Sequence, residues 1–596
     1  MEKQTTVMPA EELQSLLGLK GGLGLAVSKA IIKIIGLDEI NRIQGKYSEL
    51  AGPEFAARVL EEVGVSWDLP VQDLANIPSE GGFITVSNHS YGSIDGLLLS
   101  AVVGGRRPDY KILTTFLLSK IPGLADSFIG VDNFSSGGAR SIQGIRTALG
   151  HIADGNAIGF FPAGEVATWQ KKDKRTAGGR VIEDCPWAEN IIKMIRRSKL
   201  PVVPIYFDGG NSRLFHLLGL LHPRLRTVRL IREMLNKDGL CVKMRIGKPI
   251  LPFETEEMDT AALGGYLRAR CYALESECRE SGDRKAEASV PVAASWGEEK
   301  VRAEIERISD RMVFEQAGYR CYLTRSDDVP AIMHELGRLR EITFRGVGEG
   351  TGQELDLDSF DGYYRQLVLW HVADGCIAGA YRIGIGSEIM LSKGVGGFYT
   401  STLIRYQKGA EAFLSQCMEL GRSFVVEKYQ REFLPLRLLM TGILRTVMQY
   451  PDVKYFIGPV SISGDYPDLY KSLMVKFLTD RYGASPEESI ALPEHPHKPD
   501  FLRVDPSRLL FGLKDPDDLD KLFSSMSDGE WRVPPLVRAY VSWGARFITF
   551  NVDPDFNNSL DGLILSRLSE FPPRMLDMLF RSLEPEERES IKERFC

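Results

Sequence analysis

One break in composition decides which architectures are open to this chain. The run Arg279-Glu280-Ser281-Gly282-Asp283-Arg284-Lys285-Ala286-Glu287-Ala288-Ser289-Val290-Pro291 is charged and small, with no apolar periodicity. It reads as a linker over 279–300. The 596-residue chain is too long for a single core, and the segments on either side of the break are each long enough to bury one. Two separately folded halves are expected, over residues 37–278 and 301–596, behind a leading segment at 1–36. No internal repeat or low-complexity tract interrupts either half.

Before the break, short apolar runs alternate with helical periodicity. Phe83–Ser87, Ala157–Phe161 and Val202–Phe207 read as strands, with helices marked by Ile142, Ile145, Leu149 and Ile152 and by Ile191, Ile192 and Ile195. Gly155 is the stop signal of the first helix. Such alternation predicts an α/β layered domain. After the break, a helix is expected at about 328–344, then strands at 367–370 and 377–381 flanking an Asp374-Gly375 turn. A helix near 408–421, a strand at 423–426, a helix near 433–449 and a strand at 455–457 follow. This half reads as α+β, with a central sheet whose first strands are antiparallel.

Composition narrows the function. The formal net charge of -7 argues against nucleic acid as the main partner. Eight cysteines are scattered with no CxxC pair, which indicates neither a zinc ribbon nor a disulfide framework, and a reducing cytosolic setting is the simplest reading. No run of 18 uncharged apolar residues occurs, so a spanning helix is not expected, and no export signal is read. In Leu23–Ile35, Lys29 and Lys33 share one helical face. That segment suits either an interfacial helix with lysines toward headgroups or a helix packed on its own domain.

Two constellations carry chemistry. In the first, the strand 83–87 runs into Asn88-His89-Ser90-Tyr91-Gly92-Ser93-Ile94-Asp95, ahead of an apolar helix. A histidine leaving a strand edge, with an aspartate to fix its tautomer, can take a proton from a hydroxyl. The same pair also reads as a capped helix start. It is joined by Phe161-Pro162-Ala163-Gly164-Glu165 after a second strand and by Val203-Pro204-Ile205 in a third. Together these resemble the glycerol-phosphate and lysophosphatidate acyltransferases over about residues 40–255. The resemblance implies His89 as general base and Asp95 as its orienting partner. Asn88, Phe161, Pro162, Gly164 and Glu165 fall around the substrate, with Glu165 either in the site or capping the next turn. His89 and Asp95 are separated by five residues rather than the family's four, a spacing shared by a branch loosely called hemolysin-like. Asn133 and Val166 stand where phosphate-contacting arginines are usual, which argues for a hydroxyl substrate other than a glycerol phosphate. Arg140, Lys171, Lys172 and Arg175 are the candidates to substitute.

The second constellation is Arg340, Phe344, Asp358, Asp361, Arg382, Glu419 and Arg422. Read without context, these are ion pairs at element ends, worth little. In this order they resemble the acyl-homoserine-lactone synthases and the N-acyltransferases that make lyso-ornithine lipid, within the GNAT fold. The resemblance continues through Gly458–Ser463, Pro534–Tyr540 and Asn551–Phe556. It implies amide formation from an acyl thioester at a splayed sheet, with these residues binding substrate. Glu419 is either the proton acceptor or the partner of Arg422. No coenzyme A pyrophosphate loop is seen, and Gly346, Gly348, Gly350 and Gly352 read as a mobile loop, which fits acyl carrier protein, with acyl-CoA as the other possible donor.

The whole chain thus resembles the bifunctional ornithine lipid synthases: a glycerolipid acyltransferase-like α/β domain fused to a GNAT-like α+β domain. The resemblance implies N-acylation of an amino acid with a 3-hydroxyacyl group from acyl carrier protein, then O-acylation of the new 3-hydroxyl. Expected partners are acyl carrier protein, the amino acid and lyso-aminolipid, and the inner face of the cytoplasmic membrane. No metal or resident cofactor is expected. Basic runs at 171–175, 196–199 and 224–229 are either solvated faces or docking sites for acidic carrier or headgroups. The rivals are a 1-acylglycerol-3-phosphate acyltransferase active only in its first half, and a non-enzymatic, membrane-associated hemolysin-like protein.

Overall fold

Four consecutive buried residues, Ile84–Ser87, form the strand around which the first half is arranged in the computed structural model. The structure describes residues 11, 21–115, 120–131, 139–171, 180–221, 223–279, 290–432, 434–485, 488, 490–573, 577, 580–581 and 584–595. The core of the expected linker, 280–289, lies outside these, as do Asn133, Lys172 and Arg175. The chain divides into two compact units. One comprises the residues up to Asp283 with Phe501–Gly512 and Ser524–Glu530, and the other comprises the remainder from Arg284 onward.

The strands of the first unit are β1 (Ser66–Asp68), β2 (Ile84–Ser87), β3 (Lys111–Thr115), β4 (Phe128–Val131), β5 (Ile158–Phe160), β6 (Thr168–Lys171), β7 (Arg180–Glu183), β8 (Val202–Phe207) and β9 (Cys241–Ile246). Seven form one sheet in the order β1-β9-β8-β2-β5-β3-β4. Its pairs are parallel except β8 with β9. β6 and β7 make a separate hairpin. β2 and β8 are buried at every position, as strands covered on both faces are. The helix Ala139–Ala153 leads to Gly155, whose φ of 76° ends it. β2 sits centrally between β8 and β5, so its carboxyl end opens where ligands bind in parallel sheets. The early helix, Gly21–Ile35, leaves Lys29 and Lys33 exposed and buries Ile32 in a small cluster with Leu37 and Ile231.

The second unit holds β10 (Met312–Gln316), β11 (Tyr319–Arg325), β12 (Arg365–His371), β13 (Cys376–Ile385), β14 (Ile404–Tyr406), β15 (Cys417–Val425), β16 (Tyr455–Ile462), β17 (Ala491–Pro493), β18 (Arg546–Asp553) and β19 (Ser559–Arg567). Eight form one sheet, β10-β11-β12-β13-β15-β16-β19-β18, and β14 pairs with β17. The first four pairings are antiparallel, and β15–β16 is parallel. The helix Pro330–Arg345 starts with proline in its first turn, where no backbone donor is needed. The chain after residue 465 returns to the sheet through β18 and β19.

One expected element is replaced. In place of a helix over 408–421 there is a single turn, Glu411–Leu414, and then β15. Gly409 adopts φ 98°, and Cys417–Leu420 is buried at all four positions, as in a strand with neighbours on both sides. Glu419 and Arg422 therefore lie inside a strand rather than at a helix-to-strand junction. Arg382 is likewise inside β13, not at the hairpin end. Among the described residues, no helix is long and apolar enough to cross a membrane.

Candidate active sites

The first site is built where β2 ends. His89 Nδ1 lies 2.9 Å from Asp95 Oδ2, so five intervening residues close the contact. Asp95 sits in the first turn of the helix Ser93–Leu99, and the same oxygen accepts the backbone N–H of Tyr91 and of Gly92, each at 2.9 Å. The turn depends on Gly92: its φ is 90°, and a Cβ there would come within 2.9 Å of Leu230. Asp95 is fully buried while the His89 side chain keeps 17% exposure. An ionised carboxylate only accepts, which places the His89 proton on Nδ1 and leaves Nε2 with a free lone pair.

The backbone around the histidine is held from three sides. Asn88 exchanges hydrogen bonds with Phe207, its Oδ1 accepting the Phe207 N–H at 2.8 Å and its Nδ2 donating to the Phe207 carbonyl at 2.9 Å. Phe161 stacks on the imidazole with ring centres 4.1 Å apart. The Pro162 carbonyl accepts the Ala188 N–H at 2.8 Å, and Gly164 turns the chain at φ 70°. Glu165 is half exposed and pairs with Arg226 at 2.6 Å. The sequence reading missed Asp184. This buried carboxylate accepts the His89 N–H at 3.0 Å and the Trp187 indole N–H at 3.1 Å. Burial pushes its pKa up, and the His89 N–H and the Trp187 indole act against that rise.

In the second unit, the arginines and carboxylates of the second constellation meet in one buried network. Arg340 donates to Asp361 at 2.9 Å and to Gln366 at 2.7 Å. Arg382 donates to Asp358 at 2.6 Å and to Asp361 at 3.2 Å. Arg422 donates to Asp356 at 3.0 Å and to the Tyr399 hydroxyl at 2.9 Å. It does so at φ 45°, a strained setting for a residue with a side chain. Burial raises the Asp361 carboxyl, but Arg340 and Arg382 beside it outweigh that and hold it down at about 2. Phe344 packs against Phe556, 5.9 Å between ring centres, and the Arg422 guanidinium lies over Phe556.

Glu419 joins the network indirectly. Its two oxygens accept from the Tyr364 hydroxyl, from the backbone N–H of Tyr399 at 2.9 Å and of Thr400 at 2.8 Å, and from the Thr400 hydroxyl at 2.5 Å. Beside it the sheet parts. β15 and β16 pair only from Cys417 with Tyr455 to Glu419 with Ile457, after which β16 continues on β19 and β15 on β13. On the parting side, Asp561 of β19 stands opposite Ser461, whose hydroxyl donates to it at 2.7 Å.

Burial, with Asp553 nearby, pushes Asp561 up to about 7 against the pull of Ser461 and Arg422. Burial and Asp561 push Glu349 up to about 8. Protons held by the folded state but released by the unfolded chain make stability fall as pH rises. For Asp561 that loss runs from about pH 4 to pH 7 and amounts to at most about 4 kcal/mol. The melting temperature of the second unit is therefore expected to drop between pH 5 and pH 8, by scanning calorimetry. Asp561→Asn should flatten that slope; an unchanged slope would remove Asp561 as its source.

Comparison with known proteins follows the same division. The Acyltransferase family profile matches residues 10–275, and the Acetyltransferase (GNAT) domain profile matches residues 339–440. The glycine N(alpha)-acyltransferase of Bacteroides thetaiotaomicron is 30% identical over 261 residues, 41% of this chain and 75% of the relative. The lyso-glycine lipid O-acyltransferase of the same organism is 30% identical over 231 residues, 37% of this chain and 79% of the relative. The solved lysophosphatidate acyltransferase of Thermotoga maritima covers 43% of this chain and 90% of its own, at 16% identity and a TM-score of 0.27.

Proposed function

Because the chain belongs to the acyltransferases, with an acyltransferase domain and a GNAT domain in one polypeptide, we propose that it makes a doubly acylated amino-acid lipid by itself. The second unit forms an amide between an amino acid and a 3-hydroxyacyl group carried on acyl carrier protein. The first unit then esterifies the 3-hydroxyl of that product at the inner membrane face. The observation that carries this reading is the likeness of one chain to both a glycine N(alpha)-acyltransferase and a lyso-glycine lipid O-acyltransferase. Glycine is the headgroup those relatives name, and it takes the place of ornithine as the first candidate here.

The ester step follows from the His89 geometry. Nε2 removes the hydroxyl proton while Asp95 steadies the imidazolium that forms. The oxygen attacks the thioester carbonyl, the C–O bond forms, the C–S bond breaks, and the departing thiolate takes the proton back from His89. The amide step needs a neutral amine. Glu419 has its oxygens occupied by four donors, which suits it to fixing the turn at Tyr399 and Thr400. Asp561, with a pKa near neutrality beside the parted strands, is the carboxylate suited to accept the ammonium proton. Asp561→Asn should accordingly slow amide formation by about 10²-fold or more, and full activity in that variant would return the role to another group.

Isotope labelling tests the whole reading. A bacterial host expressing the chain is fed labelled glycine or labelled ornithine, and its lipid extract is analysed by mass spectrometry. Label from glycine in a species bearing one amide-linked and one ester-linked chain is expected. Label from ornithine alone would change the headgroup, and an extract with no amino-acid label in any lipid but an enlarged phosphatidate pool would replace the function.

A further inference from the structure

The first unit contains a piece of chain that arrives from far downstream, residues 501–512. Its arginine, Arg503, is mostly buried and uses all three of its guanidinium nitrogens on groups of that unit. Nη1 donates to the Ile182 carbonyl at 2.9 Å, Nη2 to the Tyr206 hydroxyl at 2.5 Å and Nε to Glu275 at 2.8 Å. The guanidinium plane also lies over the rings of Tyr206 and Tyr272.

These contacts fall on the two strand ends that hold the histidine. Ile182 is in β7, two residues before Asp184, and Asp184 grips the His89 N–H. The Asp184 N–H is itself bonded to the Tyr272 hydroxyl at 2.9 Å. Tyr206 is in β8, one residue before Phe207, which exchanges both backbone hydrogen bonds with Asn88. One rigid fork thus joins the support of the Asn88 side chain to that of the His89 N–H, and a planar group with several fixed donors does this where an ammonium cannot.

We infer that Arg503 is a positioning residue for ester formation at His89, supplied by the part of the chain that follows the GNAT-matched region. It sets the histidine relative to the acceptor hydroxyl without touching substrate. A second downstream stretch, 524–530, is also held on this unit: Arg270 donates to the Ser525 carbonyl at 2.9 Å, and Lys248 pairs with Asp528. This inference rests on the O-acyl transfer proposed for the first unit.

The test uses the full chain, with ester and amide formation measured in the same preparation. Arg503→Ala should lower kcat for ester formation by about 10–100-fold, as misplacement by an ångström does, with KM for the lyso-lipid within about twofold. Amide formation should be unchanged. Guanidinium chloride at a non-denaturing concentration should restore part of the lost kcat, and Arg503→Lys should not. Ester formation within about twofold of wild type in Arg503→Ala would overturn the inference. So would a loss that tracks a lowered melting temperature, strikes KM as much as kcat and is not rescued by guanidinium. If the unaltered protein forms no ester at all, the failure lies with the O-acyl reading instead.

Discussion

His89→Ala should leave amide synthesis intact and lower ester formation by roughly 10²–10⁴-fold, the range in which a positioned general base acts. The expected readout is accumulation of the mono-acylated amide in lipid extracts, with the di-acylated species reduced to a trace. The separation is sharp because the His89 contacts lie within the first unit and the Arg340–Asp361–Arg382 network lies within the second. Substitution also costs little structure: the imidazole is partly exposed, and Asp95 keeps its two backbone donors, Tyr91 and Gly92, when the ring is gone. A melting curve close to wild type should therefore accompany the loss. If neither lipid accumulated, the two transfers would not be divided between the units as proposed.

Asp361→Ala is expected to act on stability first. Asp361 is the shared acceptor of Arg340, Arg382 and Gln366, and both arginines are buried to within 1%. Its removal leaves two guanidinium groups in a low-dielectric interior with fewer partners. Breaking a buried ion pair by deleting one partner costs about 3–5 kcal/mol. In a unit of this size that corresponds to a fall of roughly 6–20 °C in its melting temperature. The first unit's transition should hardly move. The intact pair should itself fail in acid, because Asp361 is held at about 2 in the fold. Its contribution is complete above about pH 4 and is lost as pH falls toward 2. A second-unit transition within about 2 °C of wild type would show that the network contributes little.

Local patterns carried much of the fold. Short runs dominated by apolar residues marked β2, β5 and β8, because a strand covered on both faces carries no charged, solvent-facing side. The turn with Gly375 marked the β12–β13 hairpin, since φ 63° there suits glycine. The segment around 417–421 misled, as a short stretch of Cys, Met, Glu and Leu fits a helix or a central strand until its neighbours are known. The His89–Asp95 contact was legible because both residues belong to one strand–helix turn. Asp184, Asp561 and Arg503 were not: each acquires its role from a partner 95, 100 and 228 to 321 positions away. Nothing in the residues flanking them records that distance.

The placement of residues 501–512 in the first unit has a consequence for how the protein is born. A nascent chain emerges at about 5–20 residues per second, and roughly 220 residues separate Asp283 from Phe501. The groups that receive Arg503, 228 to 321 positions upstream, thus leave the ribosome roughly 10–65 s before the arginine does. Through that interval the His89 region stands without its last support, and the full rate of the ester formation proposed for this unit would be reached only after residue 503 has emerged. Pulse proteolysis of ribosome-bound chains stalled before and after residue 530 would show the interval directly, as a protease-sensitive first unit that becomes resistant.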